Sequence, residues 1–139
     1  WASAVPAAQR DWLVTRPAQL IIERLRKNGH KQPVIGFPKG IGEGLIAYVD
    51  QSGVDAVGLD HGVDPVWVDR NLPQNFPVQG NLDPLSLLQA GPEMFRDIDH
   101  ILDAFANRPH IFNLGHGITP PTPTENVQLM LDHVRRHQG

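Results

Sequence analysis

The sequence predicts one half of a TIM-type (β/α)8 barrel, four parallel strand-helix units in a row. Three observations carry this expectation. Four short apolar runs bounded by turn residues recur along the chain, "PVIGF" from Pro33, "DAVGLD" from Asp55, "PVQGNLD" from Pro77 and "HIFNLG" from His110, and such runs read as strands. A helical pattern follows each run, so strands and helices alternate as in a parallel sheet with crossover connections. No long linker interrupts the 139 residues, whereas a complete barrel takes about 250. The whole chain, 1-139, is therefore read as one unit. The rival architecture is an open four-stranded sheet with helices on both faces.

The elements follow in chain order. The amino-terminal segment is helical, with Pro17 expected to split it and "LIIERLRKNG" as its second half, ending at Gly29. After the first strand, Ile41, Leu45, Ile46 and Val49 make an apolar stripe that stops at Gly53, a residue suited to the left-handed turn beyond a helix end. After the second, "DPVWVDRNL" offers Asp64 as a cap and Pro65 at the first position of a short helix. After the third comes a smaller turn at "DPLSLLQAG", capped by Asp83 ahead of Pro84. A strong amphipathic pattern of Met94, Phe95, Ile98, Ile101, Leu102 and Phe105 follows it. After the fourth strand, Thr122, Pro123 and Glu125 form a capping-box signature, with Val127, Met130, Leu131 and Val134 as the buried stripe.

Composition narrows the function classes. Zero cysteines exclude disulfides, thiolate zinc sites and a cysteine nucleophile, and point to a cytoplasmic setting. The formal net charge is −3 and basic residues gather only at "RLRK" and "HVRRHQ", so no broad cationic face for nucleic acid is expected. No apolar run approaches the roughly 20 residues of a membrane span. The chain opens at Trp1 instead of methionine, and a preceding amino-terminal part is expected.

The polar residues bear on the choice of architecture. The strand ends "FPKG", "LDHG", "GNLDP" and "LGHG" place Lys39, Asp60 and His61, Asn81 and Asp83, and His116 where a strand runs out. Val34, Val57, Val78 and Ile111, near the strand openings, are apolar. A barrel builds its site at the carboxyl-terminal face, so this asymmetry favours the barrel. His116 is the sharpest candidate, because Gly115 and Gly117 permit unusual torsions and close approach of a ligand, and an imidazole can donate, accept or carry charge near neutral pH. It could equally be a turn histidine bonded to a nearby carbonyl, or part of a phosphate cradle. Asp60 could hold a ligand's N–H groups or cap the turn after its strand. Lys39 could neutralise a carboxylate or phosphate, or be simply solvated. Trp1, Trp12 and Trp67 read as packing residues.

Seven histidines invite a metal test. His110 and His116 sit at opposite ends of the last predicted strand, about 20 Å apart at 3.3 Å per residue, and cannot share an ion. His30, His133 and His137 fall at predicted helix ends, as solvated or helix-dipole partners. His100 lies within the long helix. Only His61 could join His116 on one face, and no metal site is expected.

At this point the residues carry a resemblance. The run "FNLGHGITPPTPTENVQLMLDHVR", with "VQGNLDP", "AVGLDH" and the opening "WAS", is similar to the carboxyl-terminal half of the uroporphyrinogen decarboxylase family, over essentially the whole chain and in the same order. The resemblance implies a β/α barrel forming a homodimer with facing clefts. It also implies a cofactor-free carboxy-lyase of haem and tetrapyrrole synthesis, which removes carbon dioxide from the four acetate side chains of uroporphyrinogen III to give coproporphyrinogen III. His116 corresponds to the family's substrate-contacting histidine of "NLGHG". Asp60, His61, Asn81, Gly115 and Gly117 are the further residues expected to line the cleft. The family's "FDSWAG"-like strand end carries a substrate-contacting serine that precedes Trp1 and is not in this chain; Ser3 stands where the family usually has glycine. The arginines, aspartate and tyrosine the family uses belong to its amino-terminal half, so residues 1-139 alone are expected to be inactive and to self-associate.

Two alternatives stand beside this reading. A relative that transfers methyl groups through a corrinoid protein or to a thiol would commonly bind zinc through cysteine and histidine, and the lack of cysteine argues against it. A non-catalytic half-barrel, acting as a tetrapyrrole-binding or structural module, is the alternative from another class.

Overall fold

The computed structural model describes residues 1–137. The last two residues of the expected 1-139 unit, Gln138 of the basic helix end among them, lie outside the described residues. Four strands, β1 (Ile35–Gly36), β2 (Ala56–Gly58), β3 (Val78–Gln79) and β4 (His110–Ile111), form one sheet in the order β1-β2-β3-β4. Every neighbouring pair is parallel. Chain order and spatial order coincide, which is how a singly wound barrel grows; a doubly wound sheet reverses its order at a switch point.

Register separates the two faces of this sheet. Gly36, Val57, Val78 and His110 stand in one row across the strands. This row faces the helices: a Cβ on Gly36 would run into Tyr48 and Val54, and the His110 ring packs 4.7 Å from that of Phe105. The alternate row carries Gly58, Gln79 and Ile111. It faces away from the helices, toward Phe37, whose ring a Cβ on Gly58 would meet. On that side Ile35, Phe37, Ile111 and Ile118 stay exposed. One face is thus covered and the other open among the described residues, which is the arrangement of a partial barrel and excludes the doubly covered rival.

The covered face is sealed by α1 (Arg16–Lys27), α2 (Leu45–Ser52), α3 (Pro65–Asn71), α4 (Pro84–Gln89), α5 (Pro92–Ala104) and α6 (Thr124–His137). Val57, Val78, Leu82, Val68, Leu87, Met94 and Ile98 are wholly buried, each such side chain contributing about 1.5–3 kcal/mol by leaving water. Asp64 and Asp83 cap α3 and α4 as expected, accepting the Val66 and Leu85 amides at 2.9 and 2.8 Å. The α5 stripe is buried as expected at Met94, Ile98, Ile101, Leu102 and Phe105, with Phe95 partly so. Gly53 ends α2 at φ 77°, the left-handed conformation that glycine adopts without a Cβ penalty.

Four expectations change, the simplest being Leu131, which is exposed whereas Met130 and Val134 of the same expected stripe are buried. Pro17 does not split the amino-terminal helix: a π-type turn, Asp11–Thr15, runs directly into α1, with Pro17 at its start. Pro17 has no N–H to bond back four residues, and the wider turn ahead of it carries the chain past the proline without a break. The buried stripe is Leu45, Tyr48 and Ser52 of α2, continued from Ile41 just ahead of the helix, whereas Ile46 is exposed. Those buried positions follow the 3.6-residue period, and Ile46 lies about 100° round from Leu45. The expected capping box also fails, because the Thr122 hydroxyl pairs with that of Thr119 at 2.8 Å and α6 starts at Thr124.

Candidate functional site

The carboxyl ends of the strands meet through backbone contacts that fix where each polar side chain can point. Asp60, just past β2, accepts the Gly40 amide on Oδ2 at 2.8 Å and the Gly62 amide on Oδ1 at 2.9 Å. Both oxygens are committed to backbone, so Asp60 caps its own turn and ties the loop after β1 to the loop after β2. Asn81, past β3, is 4% exposed and donates from Nδ2 to the Asp60 carbonyl at 2.9 Å and the Val63 carbonyl at 2.7 Å. Its Oδ1 is buried without a partner among the described residues. Asp60 and Asn81 therefore frame the loops from beneath.

Gly115 extends the frame to β4. Its amide donates to the Leu82 carbonyl at 2.8 Å, and Leu82 bridges Leu114 in a further parallel pair. A Cβ on Gly115 would sit on the His61 amide nitrogen and 2.7 Å from the His61 Cα. Close backbone approach, and not torsion, is thus what requires glycine here. Neither Gly115 nor Gly117 has a left-handed φ, and a Cβ on Gly117 would meet open space. The expected torsional role of the pair is corrected accordingly.

His116 is left at the surface by this packing. Its nearest polar partner is the Gly117 carbonyl, 3.4 Å from Nδ1, too long to hold the ring as a turn histidine. The phosphate cradle loses support as well, because the Gly115 and Leu114 amides are already committed, the latter to Asn113 Oδ1 at 2.8 Å. His116 instead lines an open cavity of about 570 Å³ on the uncovered face, with Phe37, Gln79, Asn113 and Ile118. The edge of its ring meets Trp1, centroids 5.8 Å apart and planes at 89°. Lys39 lies over the same indole, Nζ 3.6 Å from the ring centroid. Trp1 and Lys39 are therefore neighbours of the candidate site, whereas the sequence reading had Trp1 as packing and Lys39 either way.

His61 does not join His116. It lines a separate cavity of about 240 Å³ with Asn81, Asp83, Ser86, Asp97 and His100. His110 lies on the helix side of the sheet, Nε2 2.6 Å from the Gly80 carbonyl oxygen, and burial holds its pKa below the ordinary value. His133 pairs with Asp99 at 2.6 Å, and His137 lies 3.5 Å from Asp99 and 3.3 Å from Asp103, so these two contact α5 carboxylates and are not merely solvated helix ends. Among the described residues no group of three or more such side chains could hold a metal ion.

Gln79, Asn113 and Phe37 escaped the sequence reading. The signal was present in the alternation of "PVQGN" and "HIFNL", where a polar residue interrupts an apolar run at the open-face position.

Comparison with known proteins agrees with this geometry. The family described as Uroporphyrinogen decarboxylase (URO-D) matches residues 1–137. A uroporphyrinogen decarboxylase of Novosphingobium aromaticivorans is 50% identical over 135 residues, covering 97% of this chain and 40% of the relative. One of Sphingopyxis alaskensis is 51% identical over 135 residues, covering 97% and 40%. One of Rhizorhabdus wittichii is 50% identical over 136 residues, covering 97% and 39%. The chain thus spans about 40% of the length of these curated relatives. With a singly wound partial barrel, an open carboxyl-end cavity and a family match from Trp1 to His137, the chain belongs to the uroporphyrinogen decarboxylase family.

Proposed function

We propose that this chain is a segment of a uroporphyrinogen decarboxylase and supplies one wall of its substrate cleft. The observation that carries the reading is His116, whose ring has the Gly117 carbonyl at 3.4 Å as its hydrogen-bond partner among the described residues and opens into a cavity of about 570 Å³ on the uncovered face. The substrate is a flexible tetrapyrrole bearing eight carboxylates. An imidazole suits such a ligand because a charge-assisted hydrogen bond to carboxylate is about twice as strong as a neutral one.

Decarboxylation requires somewhere for the electrons of the breaking bond to go. Protonation of a pyrrole carbon makes the ring cationic, and the ring then accepts the pair from the acetate CH2–CO2 bond as carbon dioxide leaves. A proton delivered to the resulting methylene makes the methyl group, and loss of the proton first added to the ring carbon restores the pyrrole, so one proton is consumed for each carbon dioxide released. The enzyme must supply an acid, cations for the spectator carboxylates and an acceptor for the pyrrole N–H groups. Asp60 already holds one backbone amide on each oxygen, so it is read as a loop tie and not as that acceptor. That acceptor and the arginines are assigned to the remainder of the full-length protein, which acts without a cofactor, in the cytoplasm, as a homodimer in haem synthesis.

The test is the uroporphyrinogen decarboxylation assay on two polypeptides. Residues 1-139 alone are expected to be inactive, and a full-length polypeptide carrying them is expected to be active with KM raised by His116→Ala. Conversion by residues 1-139 alone, or an unchanged KM in the variant, overturns the proposal.

A further inference from the structure

The cleft rim carries an ammonium group besides the His116 imidazole. Lys39 lies in the loop after β1, and its ammonium stands over the Trp1 indole, 3.6 Å from the centroid. The same indole meets His116 edge-on at 5.8 Å, so the ammonium is at most 9.4 Å, the sum of the two separations, from the imidazole centroid. The segment that follows Trp1 is tied to the loop that carries Lys39. The Ser3 amide donates to the Lys39 carbonyl at 3.3 Å, and Gly40 lies so close to Ser3 that a Cβ there would be 2.6 Å from the Ser3 Cβ. Lys39 and Trp1 line a cavity of about 390 Å³ that shares Phe37 with the His116 cavity, so the two openings adjoin.

An exposed lysine loses rotamer freedom when it is held in one place, and an aromatic face compensates part of that loss without taking up its three N–H donors. Among the described residues no carboxylate lies within ion-pair distance of Lys39. The side chain is therefore held, charged and free to take an anion.

We propose that Lys39 is a further carboxylate-binding residue of this cleft, that Trp1 positions it beside His116, and that the pair takes the two carboxylates of one pyrrole ring. The inference rests on the proposed function. An acetate and a propionate on adjacent pyrrole carbons are held a few ångströms apart, a separation that an ammonium and an imidazole flanking one indole can span. Gln79 and Asn113 line the cavity as uncharged groups, so the second carboxylate has Lys39 as its charged partner on this rim.

The probe is uroporphyrin, the stable oxidised eight-carboxylate form of the substrate, titrated into the full-length polypeptide that carries these residues and followed by porphyrin fluorescence, with its octamethyl ester as control. Lys39→Gln is expected to weaken binding about tenfold, the scale of one charge-assisted hydrogen bond, and to flatten the dependence of affinity on salt. Lys39→Arg should retain most of the affinity, and Trp1→Leu, which removes no charge, should weaken it in part. Lys39→Gln combined with His116→Gln should cost less than the two single losses multiplied, because a two-point grip is lost once. Circular dichroism of each variant checks that the fold is kept. Binding by the unaltered chain with no loss in Lys39→Gln overturns this inference and leaves the proposed function standing. No binding of uroporphyrin, or equal binding of the ester, overturns both.

Discussion

Gly115 and Gly117 flank one histidine and stand in opposite surroundings, so the same substitution should act differently at each. A methyl at Gly115 meets the His61 backbone, which cannot turn aside as a side-chain tip could. Gly115→Ala is expected to cost about 1–3 kcal/mol, the scale of overpacking, and Gly117→Ala to stay within about 0.5 kcal/mol; urea midpoints of the two variants check this. Sequence shows that both positions are glycine. It cannot show which is crowded, because the crowding comes from the far-off loop after β2. His110 offers a test by pH. Burial lowers its pKa from 6.5, the hydrogen bond to the Gly80 carbonyl opposes the shift, and the nearby Arg108 charge adds to it. The unfolded chain therefore takes up a proton near pH 6.5 that the folded chain refuses, so stability falls as pH drops below that value and toward the depressed one. The unaltered chain should lose stability between pH 7 and pH 5 more steeply than His110→Gln, by up to about 1.4 kcal/mol per pH unit for one group. Parallel urea midpoint curves for the two proteins would contradict the assignment.

Between elements, the strongest polar tie is Arg108, which follows α5 and reaches the end of α3. Its fully buried guanidinium donates to Asp69 Oδ1 at 2.9 Å, the Asp69 carbonyl at 3.0 Å and the Leu72 carbonyl at 3.3 Å. It thereby satisfies carbonyls that the last turn of a helix cannot pair internally. Asp69→Ala strands the buried charge and is expected to destabilise by about 3–5 kcal/mol, read from thermal or urea unfolding; a loss below 1 kcal/mol would show that the tie is dispensable. Arg108 was invisible in the sequence because its partners are all long-range. The Asp64 and Asp83 caps were legible because the bond closes within two residues, and the α5 stripe was legible because a helix repeats its own period. Pro17 and Thr122 misled for a related reason. Each carries a local preference that its neighbours outweighed, Pro17 through the wider turn ahead of it and Thr122 through the Thr119 hydroxyl.

Across the whole molecule, the sheet has two liabilities that a closed barrel lacks. The outer edges of β1 and β4 have no neighbouring strand among the described residues, and the face that should be interior exposes Ile35 by 42%, Phe37 by 50% and Ile111 by 50%. Unpaired edges and contiguous apolar surface both favour association, and here they adjoin, so the isolated chain is expected to sediment above monomer mass at micromolar concentration. The two causes can be separated. Ile111 and Gln79 lie side by side in the open row, so Ile111→Lys sets a charge in the middle of the apolar face while leaving the backbone of both edges unchanged. Association driven by the face should then weaken strongly and should weaken further in the Ile35→Lys, Ile111→Lys double variant. Association through edge pairing would persist, because its hydrogen bonds come from the backbone. The exposed area is large and the paired strands are only two or three residues long, so the face is expected to dominate. A monomeric unaltered chain overturns the prediction, and a double variant that still associates as strongly transfers the cause to the edges.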